Sequence, residues 1–77
     1  DTLYELDGLE ECAVIPVADA HWGQVPALFY AGTVAPEAVR DFLANRLARY
    51  KLPKYIRQIA SLPKNASGKV LRGELHL

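Results

Sequence analysis

The segment PEAVRDFLANRLAR, residues 36–49, contains the clearest helical pattern of the chain. Its apolar side chains recur at helical spacing along one side, while arginine, aspartate and asparagine occupy the other. The apolar set consists of Val39, Phe42, Leu43 and Leu47. Pro36 suits a first helical turn, and Leu52-Pro53 marks the end, because a residue that precedes proline is pushed out of the α region. The pattern predicts a helix from Glu37 to about Arg49 whose apolar face packs onto a sheet.

Apolar stretches on both sides of this helix predict the strands of that sheet. Cys12–Val17 is a continuous apolar run, typical of a strand buried on both faces, and Pro16 marks its end or an edge position. Val25–Ala31 predicts a second strand, antiparallel to the first, because the seven residues Ala18–Gln24 suffice for a hairpin-like reversal. Lys54–Ala60 predicts a third, which a right-handed strand–helix–strand crossover makes parallel to the second.

The predicted fold is α+β, a three-stranded mixed sheet with helices packed on it. Two further helices are expected, the last turns of one in Asp1–Leu6 and the start of another from the apolar residues Val70, Leu71 and Leu75. The 77 residues make one small domain. A chain of this size buries only about 60% of the surface that its unfolded state exposes, so its stability alone is expected to be marginal.

The composition excludes several classes of function. Nine basic and nine acidic side chains cancel, so no overall charge attracts nucleic acid or an anionic membrane. No apolar run approaches the ~20 residues that span a bilayer. Cys12, His21 and His76 are too far apart in sequence for zinc-ligand spacing, so no metal site is predicted. The single cysteine cannot form an internal disulfide, which fits a reducing, cytoplasmic compartment.

Pro63–Arg72 is a polar turn that presents Lys69. Asn65, Ser67 and Gly68 are residue types that tolerate tight or left-handed backbone geometry. A Walker-type phosphate loop would need a glycine where Pro63 stands and a serine or threonine after the lysine. That motif is therefore rejected. On spacing alone, Lys69 is an ordinary surface lysine, although a cation on a turn could still reach a phosphate.

Three segments in order resemble motifs of the adenylate-forming superfamily, which includes acyl- and aryl-CoA synthetases, luciferases and peptide-synthetase adenylation domains. Pro63–Arg72 resembles the last motif of that superfamily. Val17–Gln24 is similar to its Pro-Asp…Trp/Phe-Gly-Glu loop, and Tyr50–Lys54 to its Tyr-Lys-x-Pro-Lys turn. The resemblance implies that residues 1–77 are the small, mobile C-terminal domain, with the N-terminal domain of the same enzyme as its partner. Leu71 stands where peptide-synthetase domains commonly carry aspartate, which favours the CoA synthetases.

The resemblance implies an ATP-dependent acid–CoA ligase, for which ATP with Mg²⁺ and coenzyme A are required. Such an enzyme forms acyl-AMP from a small carboxylic acid and ATP, and then the acyl-CoA thioester. Lys69 is the catalytic lysine of the adenylation step by this resemblance. The fragment alone is expected to be inactive, and the acid cannot be read from it because the N-terminal domain builds the acyl pocket.

Five residues are implied as CoA contacts. They are Trp22, Arg46, Tyr50, Lys51 and Lys54. Tyr50 and Trp22 match aromatic positions along the CoA route, and the basic side chains could contact its phosphates. Leu52 departs from relatives that carry a phosphate-binding arginine there. Gly23, Asn65 and Gly68 are predicted to form the loops.

Purely structural interpretations of the same residues stay open. Tyr50 could cap the apolar face of the helix, and Trp22 could be a packing residue. Two other functions also remain. One is a stand-alone α+β binding module that grips an anionic partner with the basic patch Arg46–Lys54. The other is the corresponding domain of a luciferase-like or carrier-protein-loading adenylating enzyme.

Overall fold

A mixed three-stranded sheet forms the centre of the chain, as the sequence predicts. The computed structural model describes residues 5–46 and 52–77. In chain order they form β1 (Leu9–Asp19), β2 (Gly23–Gly32), α1 (Pro36–Ala44), β3 (Tyr55–Ile59) and a 3₁₀ helix (Arg72–Glu74). The helix predicted for Asp1–Leu6 lies largely outside the described residues.

The strands pair in the order β1-β2-β3 with both predicted orientations. β1 and β2 are antiparallel, with Val14 opposite Leu28. β2 and β3 are parallel, with Ala27 opposite Tyr55. Both β1 and β2 are longer than the apolar runs that predicted them, because main-chain pairing continues through polar residues at their ends. Pro16 lies inside β1, where the missing N–H is tolerated because β1 is an edge strand.

The central strand β2 is buried on both faces and separates two apolar clusters. On one face, Leu28 and Tyr30 pack against α1. On the other, Ala27 and Phe29 pack against the C-terminal segment through Leu62 and Leu75. The two-sided burial predicted for the first strand is wrong and belongs to β2 instead. α1 covers Leu28 but leaves its β1 neighbour Val14 exposed.

α1 presents the predicted apolar face to the sheet but ends earlier than expected. Val39 and Leu43 are buried, and Phe42 is half-buried. The helix ends at Ala44, where the side-chain amide of Asn45 donates a hydrogen bond to the carbonyl of Asp41 (3.0 Å). The main-chain N–H of Asn45 donates to the same carbonyl (3.3 Å), so both groups of Asn45 close the last turn. Residues 47–51, including the predicted helix end, lie outside the description.

The helix predicted at the C-terminus is wrong. Only a three-residue 3₁₀ helix forms, and the preceding chain is extended. Lys64 and Val70 form an antiparallel bridge, and the N–H of Leu71 donates to the carbonyl of Pro63 (2.8 Å). This pairing holds the chain at Val70 and Leu71 alongside Pro63 and Lys64, in a conformation that is not helical. Val70 and Leu75 nevertheless pack against the sheet: Leu75 is buried and Val70 is partly buried in the same apolar cluster.

Candidate functional site

The Lys69 turn, residues 64–70, is a short loop closed by strand-like pairing. Lys64 and Val70 flank it as the bridged pair. Inside this pair, the N–H of Asn65 donates to the carbonyl of Lys69 (3.0 Å). The main chain on either side of Lys69 is therefore fixed.

Asn65 holds the interior of the turn through one side-chain oxygen. Its Oδ1 accepts hydrogen bonds from the N–H of Ser67 (3.0 Å), the hydroxyl of Ser67 (2.8 Å) and the N–H of Lys69 (3.0 Å). Gly68 has a φ of +87°, a left-handed conformation that favours glycine. The side chain of Lys69 is exposed and lines a groove of about 490 Å³ with Arg72 and Glu74. The turn thus presents a positioned backbone and an accessible ammonium group.

Polar contacts and buried leucines attach this turn to the sheet. The ammonium group of Lys64 forms an ion pair with Glu11 at the start of β1. Nη1 of Arg72 donates to the carbonyl of Val14 (2.8 Å). Leu62 and Leu75 are buried against the sheet on either side of the turn in sequence. The position of Lys69 is consequently tied to the sheet.

A second polar cluster lies at the β1–β2 hairpin and is organised by Asp19. Its Oδ1 accepts hydrogen bonds from the N–H groups of His21 (2.9 Å) and Trp22 (2.9 Å). Its Oδ2 accepts one from Nζ of Lys54 (2.8 Å), and the Asp19 side chain is only 7% exposed. The hydrogen bond from Lys54, followed by those from the two main-chain N–H groups, lowers the pKa of Asp19 from 3.8 to about 2. The same bond raises the pKa of Lys54.

Trp22 stands beside this cluster as an exposed aromatic ring. Trp22 is 69% exposed, so it packs little against the described residues of this chain. The ring of His21, also exposed, meets it edge-on with 4.6 Å between centroids. Gly23 follows with a φ of +82° and allows the chain to enter β2. Six residues line a groove of about 510 Å³ here, called the Trp22 groove. They are Trp22, Gln24, Val25, Pro26, Leu52 and Lys54.

The other predicted CoA contacts are distributed differently. Arg46 lies just after α1, with its guanidinium carbon 3.8 Å from the ring centroid of Phe42. Arg46 does not line the Trp22 groove. Tyr50 and Lys51 lie outside the described residues. Of the predicted basic patch, the structure thus brings Lys54 together with Trp22 and places Arg46 on a separate aromatic ring.

The two candidate sites occupy different ends of the sheet. The Lys69 turn is attached through Lys64 to Glu11, near the start of β1, whereas the Trp22 groove adjoins Asp19, at its end. At about 3.3 Å per residue, the length of β1 between those two carboxylates is about 26 Å. A single reaction centre on a partner therefore cannot contact both sites at the same time.

Sequence reasoning missed the residues that support each site. Asp19 was part of a quoted motif but had no assigned role, and the Glu11–Lys64 pair and the Arg72 contact were not anticipated. An aspartate just before a polar turn is a known signal for hydrogen bonds to the following N–H groups. The bond from Lys54 to Asp19 spans 35 residues and has no local signal.

Neither a metal site nor a membrane helix appears in the described part of the chain. Within residues 5–46 and 52–77, no group of at least three His, Cys, Asp or Glu side chains could hold a metal ion. No helix in those ranges is long and apolar enough to cross a membrane.

The sheet, the Lys69 turn and the hairpin loop together agree with one family of domains. The chain belongs to the AMP-binding enzyme C-terminal domain family, whose model matches residues 1–69. The predicted resemblance to adenylate-forming enzymes is thereby confirmed. Among curated relatives, the chain is 49% identical to 2-succinylbenzoate–CoA ligase from Lactococcus lactis over 75 residues, 97% of this chain and 17% of that protein. It is 46% identical to the ligase of that name from Bacillus mycoides over 67 residues, 84% of this chain and 14% of that protein.

Solved structures of the same family superpose closely. Fatty acyl CoA synthetase from Mycobacterium tuberculosis matches with a TM-score of 0.87 and 32% identity over 94% of this chain and 15% of that one. The o-succinylbenzoate CoA synthetase from Bacillus subtilis, in complex with an acyl-adenylate intermediate, matches with a TM-score of 0.82 and 32% identity, covering 95% and 16% of the two chains. The chain spans 14–17% of the length of the two curated relatives described above.

Proposed function

We propose that this chain, residues 1–77, is the mobile C-terminal domain of an AMP-forming acid–CoA ligase. Such an enzyme converts a carboxylic acid and ATP into an acyl-adenylate and pyrophosphate, and then transfers the acyl group to the thiol of CoA with release of AMP. The observation that carries the proposal is the Lys69 turn, which fixes the main chain around the lysine and leaves its side chain exposed. The family and its named CoA-ligase relatives support it.

Lys69 acts in the adenylation step of this proposal. When the carboxylate attacks the α-phosphate, negative charge concentrates on the oxygens of both groups, and a positioned ammonium group stabilises that charge. Because Lys69 lies on an exposed turn, it reaches those oxygens only when the domain closes over bound ATP and acid. It therefore stabilises the transition state more than the bound substrates.

The partner that binds ATP and the acid is the N-terminal domain of the same enzyme. The Mg²⁺ that accompanies ATP would neutralise phosphate charge, and we place none of its ligands on the described residues, where no suitable cluster occurs. The orientation of the two domains changes between the steps, since the two candidate sites lie at different ends of the sheet. The closed enzyme presents Lys69 first and the Trp22 groove afterwards.

The Trp22 groove fits CoA in its chemistry. The exposed indole ring offers an apolar surface to the pantetheine arm or the adenine base, and the Lys54 ammonium group offers a charge to a phosphate. The groove is open and about 510 Å³ in volume, so an extended arm can lie along it. Tyr50, Lys51 and Arg46 remain proposed contacts of the same molecule.

Replacing Lys69 tests the adenylation role. In the two-domain ligase, Lys69→Ala is expected to slow ATP–pyrophosphate exchange by roughly a hundredfold to a thousandfold, the loss typical of one transition-state donor. Thioester formation from supplied acyl-adenylate and CoA is expected to continue, because the α-phosphate has already been attacked before that step.

Arg40→Ala is the matched control, since it removes an exposed cation on α1, away from the Lys69 turn. It is expected to leave most of the exchange activity. Equal losses in both half-reactions for Lys69→Ala, or equal losses of exchange for the two variants, would reject the proposed role of Lys69.

2-Succinylbenzoate is the first acid to assay, because the two curated relatives described above carry it in their names. A fatty acid is the second, since the same fold serves a fatty acyl CoA synthetase. AMP release that depends on CoA distinguishes the proposed ligase from a luciferase-like or carrier-protein-loading enzyme. The stand-alone binding module gains no support from these relatives.

A further inference from the structure

Asp19 connects two parts of the Trp22 groove that are distant in sequence. One carboxylate oxygen holds the main chain of His21 and Trp22, and the other holds the side chain of Lys54, 35 residues away. Little of the Asp19 side chain is exposed, because these donors surround its carboxylate at the edge of the hairpin, although the residue as a whole is only partly buried. Hydrogen bonds to an ionised carboxylate are shorter and stronger than those between neutral groups, and Asp19 accepts three of them.

The geometry of Lys54 leaves its cation available to a ligand. An ammonium group has three N–H donors, and Asp19 accepts from one of them. The side chain of Lys54 is 46% exposed, so the remaining donors are accessible from the groove that it lines. Asp19 is ionised at neutral pH, and the lowering of its pKa to about 2 keeps it ionised in mild acid as well.

We propose that Asp19 is the positioning residue of the CoA site: its carboxylate holds the main chain of Trp22 and the Lys54 cation at one groove before CoA binds. This inference rests on the proposed function for the identity of the ligand. Asp19 itself touches neither CoA nor the reacting atoms. It acts through Trp22 and Lys54.

Pre-organisation is the physical reason for such an arrangement. A free lysine side chain loses much rotational freedom when it binds a phosphate, whereas one already held by a carboxylate loses less. Protein kinases use the same device, since an ion pair with a glutamate sets the lysine that contacts the phosphates of ATP. The negative charge of Asp19 also repels a phosphate, and the proposal is that the positioning of Lys54 outweighs this repulsion.

Two substitutions at Asp19 separate its two roles. Asp19→Asn keeps an oxygen that can accept from the N–H groups of the hairpin but removes the charge that holds Lys54. Asp19→Ala removes both. Asp41→Asn is the matched control, because Asp41 is an exposed aspartate on α1, away from the groove lining.

The readouts are the KM for CoA and the Kd of CoA measured by calorimetry on the two-domain ligase. Asp19→Asn is expected to raise both by about tenfold, as for loss of a hydrogen bond between charged groups, and Asp19→Ala to raise them further. The rate of ATP–pyrophosphate exchange is expected to change much less, so the fold-increase in KM for CoA exceeds the fold-loss of exchange by about tenfold. The control is expected to match the unmodified enzyme.

A double-mutant cycle with Lys54→Met tests whether Asp19 acts through Lys54. If it does, Asp19→Asn adds little to the Kd of CoA once Lys54 has been replaced. Full additivity in the cycle, an unchanged or lowered Kd in Asp19→Asn, or equal losses in exchange and CoA affinity each overturn the inference. These results presuppose an unmodified enzyme that forms the thioester from CoA, and failure of that reaction rejects the proposed function itself.

Discussion

Two short side chains, those of Asn65 and Asp19, organise the two candidate sites in the same way. Each directs a side-chain oxygen at main-chain N–H groups a few residues further along, and so fixes a loop without a large apolar contact. Local acceptors of this kind stabilise turns that apolar packing cannot reach. Asp19 differs because its second oxygen reaches across the fold to Lys54.

The lowered pKa of Asp19 predicts a specific pH dependence of stability. Its pKa falls from 3.8 to about 2 on folding, so between these values the unfolded chain binds more protons than the folded chain. The stability contributed by Asp19 is therefore fully present above about pH 4 and is lost as the pH falls through about 2. The measurement is the free energy of unfolding of this chain and of Asp19→Asn at several pH values in that range.

The difference in unfolding free energy between the two proteins is expected to be largest above about pH 4 and to shrink towards pH 2. Two curves that run parallel through this range would contradict the stabilising role of the ionised carboxylate.

At the scale of elements, the C-terminal segment acts as the second cover of the sheet although it contains no α-helix. Leu62 and Leu75 are buried against Ala27 and Phe29, on the face opposite α1. The Lys69 turn lies between these two leucines in sequence. The burial of the leucines therefore supports the position of the catalytic candidate.

Leu75→Ala is expected to destabilise the chain by about 2 kcal/mol or more, through lost apolar burial and the cavity left behind. Leu77→Ala is the matched control, because Leu77 is 46% exposed and Leu75 is 7% exposed. The control is expected to change stability by less than about 0.5 kcal/mol. Urea unfolding followed by circular dichroism measures both, and similar midpoints for the two variants would show that the segment does not cover the sheet.

Elements whose apolar residues recur periodically, or whose ends are marked by residues such as proline, were predictable from the sequence. Elements that depend on contacts with distant residues were not. The spacing of Val39 and Leu43 and the position of Pro36 were sufficient for α1, but its early end depends on the side chain of Asn45. Val70, Leu71 and Leu75 fit a helix in spacing, yet the bridge of Val70 to Lys64 keeps this segment extended.

The candidate sites were predictable to different extents for the same reason. Lys69 was identified by the resemblance of its turn, which is a local feature. The pairing of Lys54 with Asp19 depends on β3 lying next to β2, and the sequence around either residue contains no sign of it. The roles proposed for Trp22, Lys54 and Lys69 remain predictions.

At the scale of the whole molecule, both candidate sites are attached to one sheet whose central strand β2 is buried on both faces. A shared and tightly packed strand makes the domain move as a unit. If that unit rotated against a second domain, the Lys69 turn would leave the reaction centre and the Trp22 groove would take its place. Under the proposed function, the fold would let one small domain serve two successive steps.

The isolated chain is expected to fold and yet to show no ATP–pyrophosphate exchange with any acid, because Lys69 needs a partner that holds ATP. The two-domain ligase, assayed at the same concentration, is the control. Exchange catalysed by residues 1–77 alone would contradict the proposal that the site is shared between domains.

The hydrogen bonds that form the Lys69 turn use main-chain groups and the side chains of Asn65 and Ser67. None of those bonds involves the ammonium group of Lys69 itself. The conformation of the turn therefore does not depend on which side chain stands at position 69. Loss of this lysine is therefore expected to leave folding intact, and under the proposed function only an assay of adenylation would detect it.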